Sequence, residues 1–293
     1  MTISVSINKE IDIGKFLDFM NSPRYPGKRA IILKAYPEIA NAINNGADEK
    51  TAIENIISNL YSEKEEQIKN ILNDLKNELA NTDMIINSLA DIMNHDISAN
   101  NYSAILTLLP FSPFKNNIFN FSIYSLVFRN KDGSPRRNVS IVCTAVHEIS
   151  HFIFFDQLKE WEEQSKKKIS HPAEHYFKEA LTAAIMNKEV FKNFFDYLKL
   201  VNSENYRGNP ELHALFVSKE NNGTENIVTF FEREMFQNKN NYKANFFRLL
   251  DIFYQNQEKF TQKWELWNNW LLSSDENRRA LMEKYSKPMF LKL

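Results

Sequence analysis

The chain of 293 residues contains one cysteine, Cys143, which excludes an internal disulfide and fits a reducing compartment. It also lacks any charge excess. Lys and Arg number 36 against 37 Asp and Glu, so there is no basic surplus of the kind that holds nucleic acid or an anionic membrane, and neither partner is expected. No apolar run approaches the length of a transmembrane helix, and Met1-Thr2-Ile3-Ser4-Val5-Ser6-Ile7-Asn8 has no basic stretch leading into an apolar one. The expectation is therefore a cytoplasmic protein, in which sequons such as Asn138-Val139-Ser140 carry no glycan. Internal repeats and low-complexity segments are absent as well. What the chain does have is apolar side chains: 43% hydrophobic and 13% aromatic residues suffice for a sizeable core in one large or two smaller domains.

Residues 2–7 alternate polar and apolar, the pattern of a half-buried strand. Helical periodicity follows over 13–21, 28–44, 48–61 and the charged stretch 63–79. Ser62 and Glu65 have capping-box spacing, and Asn45-Gly46 has the form of a helix stop. The Lys/Glu run of this region reads as a solvated face. Residues 104–109 and 121–128 read as two strands, the second rich in β-branched and aromatic residues, joined through the apolar loop Pro110-Phe111-Ser112-Pro113-Phe114. They predict a small sheet against the helix that follows, with an edge strand on which an extended peptide adds. Beyond Lys168 the chain reads as nearly all helical to its end, with Trp264, Trp267 and Trp270 recurring on one face, a pattern more often of core packing than of a ligand platform or interaction surface. Lys166-Lys167-Lys168 complements the negative end of the preceding helix.

Within that preceding helix lies His147-Glu148-Ile149-Ser150-His151. Histidines at i and i+4 sit one turn apart on one face, so both imidazoles reach one metal ion. Glu148 lies beside them, placed to accept a proton from water and pass it to a leaving group. With six histidines in the chain, chance produces the pattern in on the order of one such sequence in a hundred. The flanks, from Val139-Ser140-Ile141-Val142 to Phe152-Ile153-Phe154-Phe155, are apolar on nearly all sides. Two histidines and a glutamate in such a helix need compensation, and a metal supplies it. Cys143 and His151 are two turns apart, about 12 Å along the axis, so the cysteine reads as a small core residue.

A catalytic zinc takes three protein ligands and leaves a position for water. His171-Pro172-Ala173-Glu174-His175-Tyr176-Phe177-Lys178-Glu179 offers four candidates at the start of the next helix. Glu179 is best placed, because small and apolar residues follow it and its face packs inward. Glu174 has the place of a helix-start carboxylate, and His175, one turn before Glu179, is a substrate-facing group or the ligand itself.

Over 121–187 the chain resembles the zincin metallopeptidases, specifically the gluzincins, in which a glutamate on a following helix completes a His/His/Glu site. The resemblance implies zinc as cofactor, His147, His151 and Glu179 as its ligands, Glu148 as general base and a peptide or protein as substrate. The elongated metzincin motif is absent, since Asp156 and Gln157 fall where it would continue. An Asn-Glu-x-x-Ser-Asp signature is absent too: Lys178 precedes Glu179, and Ala183 stands where an aspartate would brace a ligand. Zincin chemistry also wants a donor to the oxyanion, and in Asn205-Tyr206-Arg207-Gly208-Asn209-Pro210-Glu211-Leu212-His213 the candidates are Tyr206 and His213. The expected fold is α+β and predominantly helical: a small mixed sheet, a zincin-type active-site helix and a helical C-terminal part. Its segments are 1–102, a strand and helical layer; 103–190, the core with the metal site; and 191–293, helical. The expected activity is zinc-dependent peptide hydrolysis. A helical interaction protein with a structural or lost zinc site is the competing expectation.

Overall fold

Local signals, a capping side chain or a first-turn proline, start several of the helices in the computed structural model, which describes residues 3–23, 25–97, 100–115, 117–130, 140–191, 208–218, 223–236 and 241–292. The protein is α+β and predominantly helical. Its chain divides into two units, one of Met1–Asp83 with Asn100–Ala145 and the other of Met84–Ala99 with Val146–Leu293.

The first unit opens with β1 (Ser4–Ile7) and helices α1 (Lys9–Met20), α2 (Pro26–Ala35), α3 (Pro37–Asn44), α4 (Glu49–Glu63) and α5 (Glu65–Leu79). Helix α6 (Asp83–Ile92) falls, but for its first residue, in the second unit. The first unit then resumes with β2 (Ser103–Thr107), β3 (Phe114–Lys115), β4 (Ile118–Ser122) and the single turn α7 (Tyr124–Val127). Strand order is β1-β2-β4-β3, with β1–β2 and β2–β4 parallel and β3–β4 antiparallel, a small mixed sheet. Because Ser4 pairs with Ser103, β1 and the strands after residue 102 belong to one sheet.

Four expectations need correction. α1 starts at Lys9 rather than 13, since the Asn8 side chain accepts the Ile11 N–H at 2.8 Å and caps it. The segment 28–44 is two helices, because Pro37 has no N–H to continue the first and is suited to begin the second. Ser62 forms no capping box: it lies inside α4, where its hydroxyl donates to the Ser58 carbonyl at 3.1 Å. The strand expected at 121–128 ends at Ser122, where its partner β2 ends at Thr107, and the chain turns into α7. Gly46 does end a helix, with φ of 88°.

Around Tyr36 the rings of Phe16, Tyr124 and Phe128 pack edge-on at 5.4, 5.4 and 5.7 Å. Phe111 of the apolar loop packs in the same way on Phe19. Asp12, fully buried, ties α1 to the end of β2: it accepts the Leu108 N–H at 2.8 Å, the Tyr61 hydroxyl at 2.8 Å and the Thr107 hydroxyl. Asp12→Ala would leave these buried donors unmatched, so urea denaturation should show a loss of about 3 kcal/mol.

Beyond α6 the second unit consists of α8 (Ile141–Ser165, from Val146 on), α9 (His171–Met186), α10 (Pro210–His213), β5 (Phe216–Ser218), β6 (Thr224–Asn226), α11 (Ile227–Phe236), α12 (Tyr242–Gln255), α13 (Gln257–Leu272), α14 (Asp275–Tyr285) and β7 (Met289–Phe290). The motif histidines thus belong to the second unit and the four-stranded sheet to the first. Helix α9 packs against α11, α12 and α13, with Phe177 among the rings of Phe154, Phe231, Phe246 and Phe253 at 4.9–5.4 Å. Trp267 is core, stacked on Trp270 at 4.8 Å, whereas Trp264 turns to the rings of His171 and His175. Among the described residues no helix is long and apolar enough to cross a membrane.

Candidate metal centre

Ser140 starts the motif helix: its hydroxyl accepts the Cys143 N–H at 3.1 Å, and α8 then runs unbroken to Ser165. The i, i+4 spacing brings the rings of His147 and His151 to 4.5 Å between centroids. Both are buried, His151 to 1% exposure, and Glu148 is buried beside them.

Helix α9 supplies the facing carboxylate. Pro172 favours its first turn, and Ala173, Tyr176, Phe177, Ala180 and Ala183 are buried with Glu179. Oε2 of Glu179 lies 3.3 Å from Nε2 of His147 and 3.6 Å from Nε2 of His151, and it has no well-directed hydrogen bond. A hydroxyl pair fixes the two helices close by. Ser150 donates to the His147 carbonyl at 2.6 Å, so the proton between Ser150 and Thr182, 2.5 Å apart, comes from Thr182.

Two carboxylates approach the histidines from different sides. Glu148 Oε2 is 3.4 Å from Nδ1 of His151, while Glu179 faces the Nε2 atoms of both rings. Among the described residues His147, Glu148 and His151 form the one group of three potential ligands that lie within 4.8 Å of each other. Outside that group, Glu179 brings one carboxylate oxygen, Oε2, within 3.6 Å of the Nε2 atoms of both rings. Two neutral imidazoles and a carboxylate suit a zinc-like cation, and a buried carboxylate oxygen without a directed donor is what such a cation would satisfy.

Electrostatics favour this ligand state at Glu179 and His151, while His147 is pulled the other way. Burial alone would raise the carboxyl of Glu179, but Lys178, His151 and His147 outweigh it and hold it well below the usual range. Burial, aided by Lys178, holds His151 well below its ordinary value. For His147 burial acts downward, yet the Glu179 carboxylate raises it.

The remaining sequence candidates are placed differently. His175 turns away from Glu179's partners: its Nε2 is 2.8 Å from Oε1 of Glu211 and its ring lies against Trp264 at 4.7 Å. Glu174 is half-buried in the first turn of α9. His213 ends α10 with its side chain exposed, while the buried Glu211 of the same turn reaches α9. The short approach depends on Gly208, with φ of 68°, where a Cβ would meet Leu212 at 2.9 Å and Ala183 at 3.2 Å. Tyr206 lies outside the described residues. Sequence reasoning missed Lys178 as a neighbour of the site and Glu211 as the partner of His175. The only signal for Lys178 was its position beside Glu179 on an otherwise apolar helix face. Cys143 is half-buried, and desolvation pushes its thiol up to about 12.

Comparison with protein families, with characterised proteins and with solved structures finds no match to this chain.

Proposed function

We propose that this protein is a zinc-dependent peptidase of the zincin kind, acting in the cytoplasm on a peptide or protein substrate. The observation that carries the reading is the single carboxylate oxygen, Glu179 Oε2, facing Nε2 of both motif histidines from the next helix. His147, His151 and Glu179 would hold the ion. A zinc ion bound there supplies a Lewis acid that polarises a carbonyl and lowers the pKa of a water. Glu148, on the same turn as His147 and clustered with both histidines, would accept the proton of the attacking water and deliver it to the departing amine. The buried surroundings strengthen each of these charge interactions. The single cysteine and the absence of a membrane-crossing helix among the described residues agree with the proposed compartment.

One observation favours the second reading, a non-catalytic helical protein. The Lys178 ammonium already neutralises Glu179, so the pair tolerates burial without an ion. Metal analysis separates the two. Protein purified without chelator should carry about one equivalent of zinc, as a three-ligand site requires. Protein free of metal, and unable to take up zinc on titration, would leave the second reading.

A further inference from the structure

Lys178 is 7% exposed, on a helix whose neighbouring residues Tyr176, Phe177, Ala180 and Leu181 are core. An ammonium is seldom buried without a task. Here it donates to Oε1 of Glu179. Successive residues of a helix point about 100° apart, so the long lysine stem has to curl back to reach its neighbour's carboxylate. The two oxygens of Glu179 thereby acquire different surroundings. Oε1 is held by the ammonium, and Oε2 faces His147 and His151 at 3.3 and 3.6 Å.

We propose that Lys178 is a positioning residue that restricts Glu179 to binding the ion through one oxygen, an inference that rests on the metal-site reading above. A carboxylate free to rotate offers both oxygens to a cation, and zinc accepts a fifth ligand. A second oxygen from Glu179 would occupy the position that the reacting water needs. By engaging Oε1, Lys178 keeps two imidazoles and one carboxylate oxygen as the protein's complete donor set. The arrangement also explains why a cation stands beside a cation site: its role is geometric, fixing a ligand in the way that hydrogen-bonded partners outside a metal's ligand set generally do.

The test uses cobalt(II) alone as probe, because cobalt in a four-coordinate site absorbs visible light much more strongly than at higher coordination number. Whole wild-type protein, Lys178→Met and Lys178→Arg are titrated with cobalt and their visible spectra compared. Wild type and Lys178→Arg, which keeps a donor on Oε1, should show the same intense band, and Lys178→Met should bind cobalt yet lose most of that intensity. An unchanged band in Lys178→Met, or a weak band in the wild type, overturns the proposal. Should Lys178→Met not fold, Lys178→Arg decides by itself: the intense band supports the role and its loss overturns it. A wild type that takes up neither cobalt nor zinc is a different failure, since it removes the metal-site reading on which the inference rests.

Discussion

Glu148→Gln should keep about one equivalent of zinc and lower turnover of a peptide substrate by roughly 100-fold to 10,000-fold, the range that a positioned general base contributes. Gln preserves the size and the hydrogen-bonding reach of the side chain on α8, so helix and burial are retained. What it removes is a basic oxygen. The side chain of Glu148 lies 3.4 Å from Nδ1 of His151, whereas Glu179 is the carboxylate that faces both Nε2 atoms, which is why loss of the Glu148 carboxylate should leave metal binding intact. The measurement pairs metal content with kcat on a mixture of unfolded polypeptides, so that a loss of metal cannot pass for a loss of chemistry. Retained turnover would move the base to another residue. Loss of metal from the Gln variant would make Glu148 a ligand, the alternative offered by its place among the three clustered donors.

Legibility from sequence followed the range of the interactions. The pairing of His147 with His151 was readable because i, i+4 spacing on a helix is a local rule, and the apolar residues on every side announced burial. Glu179 could be singled out because its inward direction follows from the residues around it on α9. The helical character of 48–61 and 63–79 was equally local, and so was the stop at Gly46. Strand ends were not. β4 stops at Ser122 because β2 stops at Thr107, a fact about a partner that periodicity within 121–128 does not contain. Ser62 had the right spacing for a cap but no helix start to serve, since α4 continued through it. Pro37 is a local signal too, since it cannot continue α2 and is suited to begin α3. The pairing of Glu211 with His175 depends on how the backbone at Gly208 approaches Ala183, and no pattern along the chain encodes that approach. The position of Lys178 was visible, but the curl of its side chain onto Glu179 is a tertiary result, and the sequence alone made it look like a departure from the gluzincin pattern.

The assignment of Glu179 leads to the second large effect. His147→Ala, His151→Ala and Glu179→Ala should each weaken zinc binding by more than about 100-fold, beyond what loss of a supporting hydrogen bond outside the ligand set costs. Glu174→Ala should leave zinc affinity nearly unchanged, because Glu174 sits in the first turn of α9, where a carboxylate contributes about 0.3–1 kcal/mol through the helix dipole. Competition titration against a chromophoric chelator measures all four variants on one scale. The comparison is informative because Glu174 and Glu179 occupy the same helix and carry the same charge, so a difference between them reports direction and distance and not net electrostatics. Glu179 presents Oε2 to both rings, and removing it deletes an oxygen that lies 3.3 and 3.6 Å from the two Nε2 atoms. If Glu179→Ala binds zinc as tightly as the wild type while the histidine variants do not, the third ligand must be Glu148. The gluzincin arrangement would then be wrong even though the motif helix still held a metal.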